Sequence, residues 1–196
     1  MLTKKYNIMA ICDSGCTVAL PFPYSNACGV DPLPGGINRI AFLQCDFEFS
    51  DITDQAEWDA AIAAGDVVVS GELIGSKPKG TFTKKRVSSC SPERVTGGEK
   101  TVVFQDYNRS GVHGDCSKFT FWNTILGNPK AFRAVLFTCD GYAYGPIDDF
   151  TLEADEVIEE TNTGNRYVDG SIMWNQLDMI CPTETNLVFD QDSSVI

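Results

Sequence analysis

The sequence predicts a mainly β domain of about nine strands with two short helices and an irregular N-terminal arm. Three observations support this fold class. Polar and apolar residues alternate in several short segments, as they do in a strand with one buried face. Two segments have apolar residues at helical spacing between a capping residue and a glycine. Prolines and glycines interrupt the first 38 residues too often for a helix or a central strand.

The chain of 196 residues divides into three parts. Residues 1–38 form the arm, and an arm of this kind commonly wraps a neighbouring subunit, although a loop packed on its own domain explains it equally well. Residues 39–182 contain the periodic segments, and a hydrophobic content of 43% is enough for a core. Residues 183–196 are polar and predict a flexible C-terminal tail.

The first elements of the domain follow in order. In residues 42–49 polar side chains alternate with aromatic and cysteine side chains, which predicts a half-buried strand. A short helix follows, because Asp54 can cap it, Glu57 stands three residues later and Gly65 can end it. Residues 66–74 contain three consecutive valines and predict the next strand.

A second helix is predicted over residues 117–126, with Trp122 and Ile125 on its apolar side and Gly127 as its end. Pro92 and the glycines at 97 and 98 predict the turn between two strands. The remaining strands are predicted at residues 81–90, 100–107, 131–139, 142–144, 151–160 and 166–180.

Two segments of the chain resemble each other. Residues 39–46 and 133–140 both carry an arginine, a four-residue apolar run, a cysteine and an aspartate at the same relative positions. Two related halves of a sheet or barrel would produce this pattern. Chance similarity between two strands would produce it as well.

The cysteines predict neither a disulfide framework nor a metal site. An even number invites disulfides, but the domain is too large to need them. With one histidine, a zinc site would need almost only thiolates. We expect scattered buried thiols, with Cys45 and Cys139 packed as small hydrophobes, and a cluster of Cys12, Cys16 and Cys28 is the alternative. No metal and no cofactor is predicted. The eight cysteines are Cys12, Cys16, Cys28, Cys45, Cys90, Cys116, Cys139 and Cys181.

No residue is predicted to be catalytic, and the chain is not expected to be an enzyme. The triplet Asp13-Ser14-Gly15 follows an apolar run, as in aspartic proteases, in which two carboxylates share a proton. One chain supplies one triplet, so Asp13 would work only in a dimer, and a turn with an Asx-type hydrogen bond is the simpler interpretation. His113 and Cys116 lie close in sequence, but in a glycine-rich loop without a third residue to orient them.

Charge is segregated along the chain. The net charge of −12 argues against sequence-independent binding to nucleic acid, and no apolar run is long enough to predict a membrane partner. Opposite charges on separate segments can dock one copy on another, although charge runs are often only solvated surfaces. The basic segment contains Lys77, Lys79, Lys84, Lys85, Arg86, Arg94 and Lys100. The acidic segment contains Asp140, Asp148, Asp149, Glu153, Asp155, Glu156, Glu159 and Glu160.

Several segments between residues 36 and 182 resemble virion structural proteins of tailed bacteriophages, particularly phages of Bacteroidetes hosts. They are residues 36–40 (GINRI), 52–58 (ITDQAEW), 101–107 (TVVFQDY), 121–123 (FWN) and 139–142 (CDGY). Within that class, the tail tube proteins fit the composition and the charge pattern best. The many cysteines and an irregular arm at the N-terminus, in place of a long internal hairpin, depart from the tube pattern.

The resemblance implies a β-sandwich or barrel that assembles into rings, usually hexameric, stacked head to tail in the virion. It also implies other virion proteins as partners and DNA that passes through a lumen without specific binding. A basic and an acidic surface would supply a repeatable contact between copies. The predicted subunit contacts are Lys84, Lys85 and Arg86 of one copy with Asp148, Asp149, Glu153 and Asp155 of the next.

Three alternatives stay open at this point. The first is another virion component, namely a capsid decoration, head–tail connector or fibre-base protein, which would form a small closed ring or trimer. The second is a secreted disulfide-rich binding module, which would have few or no free cysteines. The third is the dimeric aspartic protease that uses Asp13.

Overall fold

The computed structural model describes residues 35–86, 88–89, 92–107, 117–160 and 166–189. Within these residues the chain forms one antiparallel sheet of ten strands, two α-helices and a short 3-10 helix. The prediction of a mainly β fold with two helices is therefore confirmed. None of the helices in these ranges is long and apolar enough to cross a membrane.

The strands are β1 (Ile37–Gln44), β2 (Val67–Val69), β3 (Ile74–Ser76), β4 (Thr81–Lys85), β5 (Arg94–Asp106), β6 (Phe132–Thr138), β7 (Tyr142–Ile147), β8 (Phe150–Ile158), β9 (Arg166–Asn175) and β10 (Thr183–Glu184). The helices are α1 (Gln55–Ala64) and α2 (Ser117–Gly127), and the 3-10 helix is Pro129–Ala131. The order of the strands in the sheet is β10-β7-β6-β1-β3-β5-β9-β8, with β2 paired to β1 and β4 paired to β5.

The two similar segments of the sequence form neighbouring strands. β1 and β6 pair antiparallel, with Arg39 opposite Phe137 and Leu43 opposite Arg133. Each arginine is therefore opposite the last apolar residue of the other segment, so the two arginines occupy equivalent positions in the strand pair. The four apolar residues of each segment are buried, because both faces of these central strands are covered. Burial on both faces explains why the sequence runs apolar here and does not alternate.

The sheet curls around an inner core. The ring of Phe42 on β1 lies 5.8 Å from the ring of Phe150 on β8, although three strands separate β1 and β8 in the sheet order. Helix α2 fills the inside of the curl, where Trp122 stacks on Phe104 with 4.7 Å between ring centroids. The indole Nε1 of Trp122 also donates a hydrogen bond of 2.9 Å to the buried Asp106 carboxylate.

A second core covers the other face of β1 and β6. Helix α1 places Trp58 against Phe137, with 5.4 Å between the ring centroids. The helix begins and ends as the sequence predicts, because the Asp54 side chain accepts a hydrogen bond from the Ala56 N–H and Gly65 adopts a φ of 82°. This layer makes β1 and β6 the most deeply buried strands of the sheet.

The described part of the C-terminal tail packs on the domain. β10 pairs with β7, and Leu187 and Phe189 lie against the core around Trp58. The ring of Phe189 is 5.0 Å from the ring of Phe137. Residues 183–189 therefore differ from the flexible tail predicted over residues 183–196, because their apolar side chains, spaced two apart, cover a sheet face that α1 leaves open.

Several predicted element boundaries are wrong. The strand predicted over residues 42–49 ends at Gln44. Phe49 instead stacks on Trp58, and Phe47 packs edge-on against Phe49. The predicted strand over residues 66–74 is two strands, interrupted at the buried Ser70. Gly97 and Gly98 lie inside β5, opposite β4, and not in a turn.

The expectation that Cys45 and Cys139 pack as small hydrophobes is wrong as well. Both thiols are free and exposed, as is Cys181. Cys45 directly follows β1, and Cys139 lies in the turn between β6 and β7. Each cysteine lies just past the last residue of its strand and therefore does not share the burial of the apolar run before it.

Candidate functional site

The predicted basic contact lies on a two-stranded extension of the sheet. Lys84 is opposite Val95 and Lys85 is opposite Arg94, whereas β9 pairs with β5 only from Glu99 onward. Every residue of β4 is exposed. We call the surface formed by Lys84, Lys85, Arg86 and Arg94 the basic tip.

The two lysines of the basic tip have no acidic partner among the described residues. Arg86 does have one, since its Nε lies 3.4 Å from a Glu93 carboxylate oxygen. Both of those side chains are more than half exposed, and such a surface pair contributes only about 0–1 kcal/mol. No described acid therefore pairs with Lys84 or Lys85, and both side chains are exposed.

The predicted acidic contact lies along β8, which among the described strands pairs with β9 alone. Glu153 and Asp155 are exposed on this strand. Asp149 lies in the bend before β8, with a φ of 51°, and beside it Asp148 pairs with Arg133 at 2.5 Å. We call the surface formed by these four acids the acidic edge. Asp148 is the member already bound within the chain.

The basic tip and the acidic edge are far apart on one chain. Lys84 pairs with Val95 of β5, whereas Glu153 is level with Val103 of β5 through Ser171 of β9. The strand between Val95 and Val103 spans roughly 26 Å at the usual rise per residue. That distance exceeds the screening length of about 8 Å at physiological salt, so the two surfaces do not neutralise each other.

One face of the sheet carries acids and no described base. It is the outer face of β3, β9, β8 and residues 99–105 of β5, which no described helix covers. The side chains that point outward alternate with core residues such as Val102 and Ile172. Its acidic residues are Glu99, Glu153, Asp155 and Asp169.

The structure separates two lysines from the rest of the basic segment. Lys100 is buried on the inner face of β5, and Lys77 lies near it at a groove. The sequence carries a signal for Lys100 that our prediction missed, because it alternates with the core residues Val102 and Phe104. For Lys77 no comparable signal exists.

Other candidate residues lie outside the described part of the chain. They include the Asp13-Ser14-Gly15 triplet, His113 and Cys116, and also Cys12, Cys16 and Cys28. Among the residues that are described, no group of three histidine, cysteine or acidic side chains could hold a metal ion.

Comparison with known proteins adds no relative. The chain matches no protein family, no curated protein and no solved structure.

Proposed function

We propose that this chain is a self-assembling structural subunit of a phage virion, most similar in role to a tail tube protein. Copies join head to tail when the basic tip of one chain docks on the acidic edge of the next. The observation that carries the proposal is a pair of exposed lysines, Lys84 and Lys85, which have no acidic partner among the described residues and lie roughly 26 Å along the strands from Glu153.

The geometry of the two surfaces favours an open assembly. Because the basic tip and the acidic edge are different surfaces, the contact is heterologous, and each copy keeps one free surface of each kind. Such contacts form a ring when the rotation closes and a filament when it does not. A stack of rings around a channel combines the two, because each ring is closed and the stack is open at both ends.

Charge alone would orient this contact and not hold it. An exposed ion pair contributes about 0.2–1 kcal/mol, so a few pairs are weak against the cost of association. Apolar side chains beside the two surfaces supply further contact area. Val95 at the basic tip is 43% exposed, and Ile158 at the end of β8 is 67% exposed.

The acidic outer face suits a channel for DNA. A surface with acids and no described base repels phosphate, so a duplex can pass without binding. The resemblance of residues 36–182 to virion proteins supports the same role. In this proposal the partners are other copies of the chain, further virion proteins and transient DNA.

The first test reverses the charge of the basic tip. We expect Lys84→Glu with Lys85→Glu to abolish assembly, because two of the four positive charges of the basic tip become negative and its net attraction to the acidic edge is lost. The measurement is sedimentation velocity at low and high salt, with negative-stain electron microscopy of the same samples. The matched control is Lys79→Glu with Lys130→Glu, which makes the same change in net charge at exposed lysines outside the tip.

The control should assemble as the wild type does, and all three proteins should unfold at the same temperature. Wild-type assembly that weakens with added salt would support the proposal, since salt screens exposed charges. A small closed ring would instead favour a decoration, connector or fibre-base protein. Normal assembly of the reversed variant would refute the predicted contact.

A further inference from the structure

A groove of about 450 Å³ opens beside the inner core, between the middle of β5 and the C-terminal ends of β6 and β9. Lys77, Lys100, Tyr144, Trp174 and Gln176 are among the residues that line it. This volume is in the range of sites that hold small organic ligands. The groove is distinct from the basic tip and the acidic edge, and its residues lie together within a single chain.

The side chain of Lys100 is largely buried and lines this groove. Lys100 is 7% exposed, and its Nζ lies 4.6 Å from the centre of the Phe82 ring. Among the described residues, Nζ has no carboxylate within ion-pair distance and no hydrogen-bond acceptor. The ring supplies partial compensation for the charge. The ammonium itself reaches the water of the groove, where an anion can replace that water.

A second donor is oriented beside this cation. The indole Nε1 of Trp174 donates a hydrogen bond of 3.0 Å to Gln176 Oε1. This bond occupies the amide oxygen, so the Gln176 nitrogen is left to donate. Lys77 adds a second ammonium, 6.0 Å above the Trp174 ring. The groove is thus lined by two ammonium groups, the amide N–H of Gln176 and the edge of the Trp174 indole.

The rim limits the charge of a ligand. Asp140 and Asp178 line the same groove and would repel a group with several negative charges. Tyr144, Met179 and Ile180, with the edge of Trp174, provide apolar surface for the body of a ligand. A ligand with one carboxylate on a flat apolar body can accept hydrogen bonds from these donors and pack against the apolar lining residues.

We propose that this groove binds an organic monocarboxylate, with the carboxylate on Lys100 and Gln176 and the apolar body against Trp174. The carboxylate can belong to a free acid or to an acidic side chain of a second copy. The chemistry of recognition is the same for both sources, and the experiment below distinguishes them.

The test uses the full chain and benzoate as the probe, titrated by two-dimensional NMR and by thermal unfolding. We expect saturable shifts at the Trp174 indole and the Gln176 amide, and a melting temperature that rises with benzoate concentration. Benzamide, which has the same shape without the charge, should cause neither change. Lys100→Met keeps the apolar stem and should weaken benzoate binding at least tenfold, whereas Lys79→Met should bind as the wild type does.

Gln176→Leu is a second variant, because it alters a half-buried position and does not depend on how the core accepts a new residue at 100. We expect benzoate binding to be weaker by about tenfold or more, as for the loss of one hydrogen bond to a charged group. Sedimentation identifies the source of the carboxylate. If it comes from a second copy, benzoate and Lys100→Met both dissociate the oligomer, and if it is a free acid, neither changes sedimentation. Absence of benzoate binding, or equal binding by Lys100→Met, would overturn the proposal.

Discussion

At the scale of single residues, close packing of the inner core depends on a glycine in β9. A methyl group added at Gly170 would lie 2.9 Å from Phe104 Cε2 and 3.0 Å from the Glu153 carbonyl oxygen. Phe104 is buried and stacked on Trp122, so its ring has little room to move. The small residue at 170 therefore lets an aromatic ring lie directly on the backbone of the neighbouring strand.

We predict that Gly170→Ala lowers the free energy of unfolding by about 1–3 kcal/mol, as expected for overpacking of a filled core. Urea denaturation checks this value. Gly97→Ala is the matched control, because Gly97 also lies in a strand but a methyl group there meets no atom within 4 Å. The control should be neutral or slightly stabilising. Equal effects of the two substitutions would contradict this account of the Phe104 contact.

Single residues also show what the sequence could predict about the groove. Strand alternation alone would have placed Lys100 beside Val102 and Phe104 on the inner face. The hydrogen bond from Trp174 to Gln176 could not be predicted in the same way, because the chain bends at the end of β9 and the period of two stops there. The exposed thiols of Cys45 and Cys139 follow from strand ends, which sequence patterns locate poorly.

At the scale of elements, α1 is fixed by hydrogen bonds at its first turn. Asp54 caps the helix, and the Glu57 carboxylate accepts hydrogen bonds from the Ser50 N–H at 2.7 Å and the Asp51 N–H at 2.9 Å. These bonds hold the segment before α1 against the helix, where its aromatic side chains reach Trp58. The capping residues made α1 predictable from sequence. The aromatic residues before α1 wrongly predict a strand, because polar and apolar side chains also alternate in this hydrogen-bonded connection.

The hydrogen bonds to Glu57 predict a dependence of stability on pH. The Ser50 N–H, and then the Asp51 N–H, lower the pKa of Glu57 from its ordinary value of 4.5. A carboxyl with a lower pKa in the folded state stabilises the fold above its unfolded pKa, and this stabilisation is lost as the pH falls through the folded pKa. Glu57→Gln should therefore be less stable than the wild type at pH 7, with a difference that shrinks below pH 4.5.

Urea denaturation across this range measures the effect. Glu184→Gln is the control, since that exposed side chain has no partner among the described residues, and its stability at pH 7 should match the wild type. A Glu57→Gln difference that stays constant from neutral to acid pH would contradict the role of these hydrogen bonds.

At the scale of the whole molecule, the curl of the sheet separates the charges that the sequence only groups. The charge runs could be read from the chain directly, and so could the mainly β fold. Their separation could not, because it depends on β4 extending past β9 and on β8 ending the sheet. Long-range pairing of this kind leaves no local pattern. The structure also shows that Lys100 lies on the inner face of the sheet, and that several acids share the outer face.

The measurement that tests head-to-tail assembly most directly is co-assembly of two charge variants. One carries Lys84→Glu with Lys85→Glu, and the other carries Glu153→Lys with Asp155→Lys. In each variant alone, positions 84 and 85 carry the same sign as positions 153 and 155, so each should remain unassembled in sedimentation and electron microscopy. In an equimolar mixture the altered surfaces become complementary, so the account predicts that tubes or stacked rings form again. A mixture that stays unassembled while the wild type polymerises, or variants that polymerise alone, would contradict it.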